Sequence, residues 1–221
     1  MADHQWGFRT RALHAGGQPD PTTGARAVPI YQSTSFVFDG VADAADLFAL
    51  QKYGTIYTRI SNPTTAAFEE RMASLEGGIG AVATASGQAA EFLTALALAE
   101  QGTNLVASSA LYGGTHTMFE TTLGRLGIEA RFVDGDDPDA FAVSIDGDTR
   151  FLYTEIIGNP SGAIADLAAL ADVAHAHGLP LVVDSTFATP YLCRPLEHGA
   201  DIVVHSRSEE HTSELQSRET I

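Results

Sequence analysis

A carboxylate stands directly after an apolar run in the C-terminal part of the sequence. Leu181, Val182 and Val183 lead into Asp184, and Thr186 follows two residues later. An apolar run that ends in a polar residue is typical of a strand buried on both faces of a parallel sheet. Because open α/β sheets bind ligands at the carboxyl ends of their strands, Asp184 is predicted to face a ligand. The alternative is an aspartate that only caps the strand in a turn.

A second candidate site lies where a small-residue turn opens a helix. Ser86 and Gly87 follow a predicted strand at residues 79–84, and an apolar helix begins at once. The free N–H groups and the dipole of a helix N-terminus attract anions, and glycine lets the backbone come close to a ligand. A serine–glycine pair is also an ordinary helix cap. The turn has neither the glycine fingerprint of dinucleotide-binding domains nor the lysine of a P-loop.

A tyrosine and an arginine form a third candidate pair. Tyr57 and Arg59 alternate with Ile56 and Ile60, so their side chains share one face if this stretch is extended. Asn62 and the proline after it then predict a helix start, with asparagine as the N-cap.

The elements that would position these residues alternate between strand and helix from residue 79 onward. Apolar runs predict strands at 79–84, 104–108, 128–133, 150–157, 181–184 and 200–205. Helices are predicted at 41–51, 63–76, from 87, from 113 to about 126, at 138–145 and at 166–177. This alternation predicts an α/β fold with a mainly parallel sheet and helices on both faces. Residues 1–35 are rich in glycine and proline and are predicted to be irregular, either an arm on a neighbouring subunit or a plain loop.

The composition excludes several classes of function. The chain has 221 residues and a formal net charge of −16, so it repels nucleic acid and anionic membranes. Its single cysteine, Cys193, excludes an internal disulfide and a cysteine-rich metal site. His175 and His177 do not share a helix face, so a metal site there is not expected. The N-terminus carries no signal-peptide pattern, and the expected compartment is the cytoplasm.

The last residues differ in composition from the rest of the chain. The stretch "RSEEHTSELQSRETI" contains no alanine or glycine, although both are abundant before it. A solvated or disordered end is one interpretation. However, "RSEEHTSELQS" closely resembles the translation of a common sequencing-adapter oligonucleotide. We therefore expect residues 207–221 to be a non-native tail after a truncated natural sequence.

Six motifs in order resemble one enzyme family. They are "YTRISNPT", "ASGQAA", "LYGGTHTMF", "IGNPSG", "VVDSTFATPYLCRP" and "EHGADIVVHS". Together they resemble the Cys/Met-metabolism enzymes that depend on pyridoxal 5′-phosphate, over residues 8–206. The resemblance implies the large domain of a fold-type-I, aminotransferase-like transferase, here incomplete. It divides the chain into an N-terminal arm and subunit-contact segment (1–60), a cofactor-binding α/β domain (61–206) and the tail (207–221).

The resemblance also assigns roles around the cofactor. Asp184 matches the aspartate that holds the pyridine nitrogen protonated, so that the ring can accept electrons. Tyr112 matches the aromatic residue that stacks on the ring, although it could be plain core. The remaining matches are Thr186 near the ring, Asn159 near the ring hydroxyl, Gly87, Gln88 and Ser206 at the phosphate, and Tyr57 and Arg59, which reach the phosphate site of a neighbouring subunit.

Two positions depart from the family pattern. Ser185 stands where the family usually has asparagine, a change that would leave cofactor binding intact. Glu209 stands where the family has the lysine that forms the Schiff base, and the only lysine in the chain is Lys52. Without that lysine the chain lacks the amine that attacks the cofactor and the base for the substrate α-proton. We therefore expect the chain itself to be catalytically incompetent.

The family resemblance implies a reaction in sulfur amino-acid metabolism. The expected reaction replaces the acetate of O-acetylhomoserine by sulfide or a thiol, which gives homocysteine or methionine. Cystathionine γ-synthase or γ-lyase chemistry on the same scaffold is the nearest alternative. A nucleotide-binding Rossmann domain and a non-catalytic α/β binding protein are further alternatives. The full-length enzyme is expected to be a homo-oligomer, a dimer of dimers, with a small amino-acid substrate and no metal.

Overall fold

The computed structural model describes residues 6–207 of the chain. The chain divides into two compact units, one that ends at Ala83 and one that begins at Thr84. The division at residues 60 and 61 inferred from the family pattern stays a prediction, and positions 208–221 of the predicted tail lie outside the described residues. Within residues 6–207, no helix is both long and apolar enough to cross a membrane.

The N-terminal unit is built on three helices. They are α1 (Phe8–His14), α2 (Val41–Phe48) and α3 (Pro63–Glu76). The expectation that residues 1–35 are irregular throughout is wrong for α1. Gly7 lies directly before α1 and the next glycine or proline is Gly16, which leaves room for two helical turns between them. Helix α1 packs against α3, and the Arg11 guanidinium donates to the carbonyl of Ser74.

The N-cap of α3 also fastens the loops around it. The Oδ1 of Asn62 accepts from the N–H of Thr64 at 2.9 Å, which confirms the predicted cap. The Nδ2 of the same side chain donates to the carbonyl of Tyr31 at 2.9 Å and to the hydroxyl of Thr58 at 3.1 Å. Asn62 is buried, so water cannot reach its amide group and these hydrogen bonds satisfy it instead.

We expect Asn62→Ala to lower the free energy of unfolding by about 2 kcal/mol, since it removes a cap and leaves buried partners unsatisfied. Asp166→Ala removes only a cap, in which Oδ1 accepts from the N–H of Ala169, and should cost about 1 kcal/mol. Urea unfolding of both variants measures the difference. Equal losses would show that the two hydrogen bonds donated by Nδ2 of Asn62 contribute nothing to stability.

The second unit contains one parallel sheet. Its strands are β1 (Asn104–Ser108), β2 (Glu129–Val133), β3 (Thr149–Glu155), β4 (Leu181–Asp184) and β5 (Ile202–Val204). They lie in the order β2-β1-β3-β4-β5, and every pairing is parallel. Its helices are α4 (Gly87–Leu98), α5 (Gly113–Thr117), α6 (Pro138–Ser144), α7 (Leu167–Ala176) and α8 (Thr189–Leu192), with a π-helix at Met118–Leu123 and a 3-10 turn at Pro195–His198. The predicted parallel α/β sheet is confirmed.

The core lies on both faces of the sheet, as the alternation of its strands requires. Leu181 and Val183 of β4 contribute to one apolar cluster, together with residues of α6 and α7. Val182 of β4 contributes to the other cluster, with residues of α4 and the π-helix. In the second cluster the ring of Phe119 meets the ring of Tyr153 edge to face, with centroids 4.8 Å apart. Strand β4 is therefore buried on both sides.

The predicted strand at residues 79–84 is wrong. A β-strand exists only where its N–H and C=O groups pair with a neighbouring strand. Among the described residues this segment pairs with no strand, and the side chains of Ile79 and Val82 are exposed. Its apolar composition was therefore an insufficient signal.

Candidate functional site

A chain of contacts joins the carboxyl ends of two strands to the start of α4. The N–H of Thr186 donates to Oδ1 of Asp184 at 2.7 Å, and the N–H of Ser206 donates to the hydroxyl of Thr186 at 2.8 Å. Ser206 in turn lies against Gly87, where an added Cβ would stand 2.6 Å from the Ser206 Cβ. Asp184, Thr186, Ser206 and Gly87 thus lie together at the sheet edge where open α/β sheets bind ligands.

The turn at Gly87 has the features of an anion cradle. Ser86 caps α4, and its hydroxyl accepts from the N–H of Ala89 at 3.1 Å. Within the described part of the chain, the N–H groups of Gly87 and Gln88 have no acceptor. Glycine is required at position 87 because any side chain would displace Ser206. The free N–H groups of Gly87 and Gln88 lie beside the Ser206 hydroxyl at the positive end of a helix, an arrangement that suits a phosphate.

The ring of Tyr112 lies beside the same helix start. A Cβ at Gly114 would stand 2.6 Å from Cε1 of Tyr112 and 3.4 Å from Nε2 of Gln88, so the ring and the amide both border Gly114. The Tyr112 side chain is 41% exposed, which leaves part of its ring open to a ligand. The structure therefore brings Tyr112 and Gln88 together beside the start of α4.

The carboxyl group of Glu155 accepts hydrogen bonds from two loops of the site. Its Oε1 accepts from the N–H of Tyr112 at 2.6 Å, and its carboxyl also accepts from the N–H of Asn159, which is half-buried in the turn after β3. Glu155 pairs in register with Asp184 on the neighbouring strand. Burial raises the pKa of Glu155 to about 7; the N–H of Tyr112 opposes this rise, and the charge of Asp184 adds to it.

Three buried carboxyl groups meet at this edge of the sheet. They belong to Glu91, Glu155 and Asp184, each less than a tenth exposed. Within residues 6–207 none of the three forms an ion pair, and no set of His, Cys, Asp and Glu side chains is arranged to hold a metal ion. A buried acidic cluster of this kind favours a ligand that presents a positively charged group.

Sequence reasoning missed Glu91 and Glu155. A signal existed for each. Glu91 is a charged residue within the apolar stretch "AAEFLTALAL", one helical turn after Gly87. Glu155 ends a buried strand in the same way as Asp184. A charge at such a position is retained only where partners or a ligand compensate for its burial.

Tyr57 and Arg59 lie in the N-terminal unit, and the premise that their stretch is extended is wrong. The N–H of Ile60 donates to the carbonyl of Tyr57 at 2.8 Å, which closes a turn, and the Asn62 amide bond to the Thr58 hydroxyl holds it. The two side chains still meet, since Cζ of Arg59 lies 5.3 Å from the Tyr57 ring centroid. Both are exposed. The position of Glu209 lies outside the described residues.

Known proteins resemble this chain over about nine-tenths of its length. An O-acetyl-L-homoserine sulfhydrylase of Leptospira meyeri is 54% identical over 197 residues, 89% of this chain and 45% of the relative. A homocysteine synthase of Schizosaccharomyces pombe is 52% identical over 200 residues, 90% of this chain and 47% of the relative. The chain thus spans about half the length of these relatives.

A solved structure shows the same fold. The crystal structure of a protein described as an O-acetylhomoserine (thiol)-lyase, from Campylobacter jejuni, superposes with a TM-score of 0.88 at 41% identity. The match covers 91% of this chain and 49% of that protein, which carries a pyridoxyl-lysine 5′-monophosphate. The sequence model of one family matches residues 9–209. By that match the chain belongs to the Cys/Met metabolism PLP-dependent enzymes.

Proposed function

We propose that this chain is part of a pyridoxal-phosphate enzyme that replaces the acetate of O-acetylhomoserine by sulfide, or by a thiol, to give homocysteine or methionine. The observation that carries the proposal is the identity of more than half of the aligned residues to two relatives whose names describe homocysteine synthesis or O-acetylhomoserine sulfhydrylation. The cytoplasm is the proposed compartment, and the proposed small-molecule partner is the amino-acid substrate.

The described residues fit the cofactor at three points. The free N–H groups of Gly87 and Gln88, with Ser206 against them, would hold the phosphate. Tyr112 would lie on the ring, and Asp184 would face the pyridine nitrogen. When bound, pyridoxal phosphate supplies a ring that accepts electrons from the substrate α-carbon.

Asp184 would keep the ring nitrogen protonated because an ionised carboxylate favours a cation beside it. Its Oδ1 is held by the N–H of Thr186, which orients the carboxylate at the strand end. Glu155 fixes the loops that carry Tyr112 and Asn159 through two backbone N–H groups. Asn159 would then lie near the ring hydroxyl. These residues position and charge the site, and no proton transfer to substrate is assigned to them.

Binding of pyridoxine 5′-phosphate tests the cofactor site directly. This compound lacks the aldehyde, so its binding does not require a Schiff-base lysine. We expect calorimetry to show that the chain binds it at least about tenfold more tightly than pyridoxine, since only the former carries the phosphate. Equal binding of the two compounds, or none, would contradict the proposed site.

Gly87→Ala is expected to weaken binding of pyridoxine 5′-phosphate by about tenfold or more, because the new methyl group must push Ser206 out of the cradle. Gly124→Ala is the matched control, since nothing lies within 4 Å of a Cβ at that position. The same titration measures both variants. An unchanged affinity in Gly87→Ala would place the phosphate elsewhere.

We further propose that Tyr57 and Arg59 bind the phosphate in a neighbouring subunit's site within a homo-oligomer. An exposed guanidinium suits this role because its planar fork binds phosphate in a bidentate manner. Arg59→Ala should therefore weaken binding of pyridoxine 5′-phosphate at protein concentrations where sedimentation shows oligomers. At concentrations where the chain is monomeric, the affinity should be unchanged. A loss of the same size in the monomer would mean that Arg59 serves its own chain.

A further inference from the structure

Glu91 is a buried titratable group to which the proposed function assigns no role. It lies on α4, one turn after Gly87, and its side chain is 4% exposed. A carboxyl group at this depth requires hydrogen-bond partners.

Three neutral side chains donate to Glu91. The hydroxyl of Tyr153 donates to Oε1 at 3.1 Å, and the amide of Gln88 donates to Oε2 at 2.9 Å. The hydroxyl of Thr115 lies 3.0 Å from each oxygen. The donors come from β3, α4 and α5, so the carboxyl group is held from three elements.

The fourth partner of Glu91 is the carboxyl group of Asp184, with which it shares a hydrogen bond. Two ionised carboxylates have no proton to share, so one of the pair must be protonated. Burial raises the pKa of Glu91 to about 8; the negative charge of Asp184 adds to the rise, and the hydrogen bonds from Thr115 and Tyr153 oppose it. Oδ1 of Asp184 accepts from the N–H of Thr186, so this carboxylate already has a donor of its own. The proton therefore belongs on Glu91.

We propose that Glu91 is a positioning residue of the cofactor site: its protonated carboxyl group donates to the carboxylate of Asp184 and fixes the direction in which that carboxylate points. The orienting role toward a pyridine nitrogen rests on the proposed function. Among the described residues, the titratable groups that face Glu91 are Asp184 from β4 and Tyr153 from β3. Neither is a cation, so neither carries a positive charge that would favour the ionised form of Glu91.

Carbon-13 NMR of the whole chain, labelled in its glutamate carboxyl groups, tests where the proton lies. The Glu91 signal, assigned by its loss in Glu91→Gln, should titrate well above the usual range of glutamate. In Asp184→Asn its midpoint should fall, because the negative charge that holds the proton is gone. A Glu91 that titrates in the usual range, or whose midpoint Asp184→Asn leaves unchanged, would overturn the proposal.

Ligand affinity tests the positioning itself. Glu91→Gln keeps a donor for Asp184 and should bind pyridoxine 5′-phosphate within about threefold of the parent chain, whereas Glu91→Leu should lose about tenfold, the effect of one hydrogen bond to a charged group. Circular dichroism confirms that the variants are folded. A Glu91→Leu variant that is folded and binds like the parent chain would overturn the positioning role. Failure of the parent chain to bind would instead overturn the proposed function, and the titration would still decide where the proton lies.

Discussion

Supplied with pyridoxal 5′-phosphate, O-acetylhomoserine and sulfide, the 221-residue chain is expected to form no homocysteine above the uncatalysed rate. The position that the family pattern gives to the Schiff-base lysine is Glu209, and the one lysine of the sequence is Lys52. Lys52 forms an ion pair with Asp43, and this hydrogen bond raises the pKa of the lysine. Less of its amine is then unprotonated, so it is a poor nucleophile. Detection of homocysteine by a thiol reagent after separation from sulfide measures the result.

The matched control joins residues 1–206 to the remaining half of the Leptospira meyeri relative. This chimera should form homocysteine, since it regains the lysine and the half of the protein that this chain does not match. Glu209→Lys alone should stay inactive for lack of that half. Turnover by the 221-residue chain that survives Lys52→Ala would contradict both the role of the lysine and its assignment to position 209.

The parallel sheet could be predicted because its strands have a simple signature. Leu181–Asp184 is an unbroken apolar run, and the structure places it between β3 and β5 with all four residues buried. The cap at Asn62 and the helix start at Gly87 were equally local signals. Residues 79–84 carried the same apolar signature and form no strand, because pairing depends on a partner that composition does not reveal.

The carboxyl groups around Asp184 could not be assigned from sequence because they come from distant positions. Glu91 lies on a helix, Glu155 on a strand, and only the packing of both beside Asp184 explains their burial. The contact of Gly87 with Ser206 likewise joins residues far apart in the chain. Local patterns named single residues of the site, whereas the bonds among them are tertiary.

The free energy of unfolding is expected to fall by several kcal/mol as the pH rises from about 5 to about 8. The pKa of Glu91 is raised to about 8 and that of Glu155 to about 7, both chiefly by burial. In the unfolded chain these groups ionise near their ordinary value of 4.5. Between the two values the unfolded state releases protons that the folded state retains, so stability is complete below about pH 4.5 and is lost as the pH rises toward the folded values.

Urea unfolding across this pH range measures the slope. Glu91→Gln and Glu155→Gln should each flatten it, because an amide does not titrate. Asp146→Asn is the control. The hydrogen bond from Asn104, and to a smaller extent that from Arg131, lowers the pKa of Asp146, so the stability that Asp146 contributes is lost only on acidification below about pH 4. A slope that persists in the double variant Glu91→Gln, Glu155→Gln would show that other groups cause it.

The strand order has a consequence for how the protein is synthesised. After β2 has paired with β1, each later strand joins the same growing edge: β3 beside β1, β4 beside β3, and β5 beside β4. A chain that leaves the ribosome from its N-terminus can therefore pair its first four strands while the outer edge of β4 still lacks a partner. Ser206, which follows β5, is the last described partner of Gly87 and Thr186 to emerge. During that interval the nascent chain presents an unpaired apolar strand to chaperones and to other chains, and the anion cradle closes only when β5 docks.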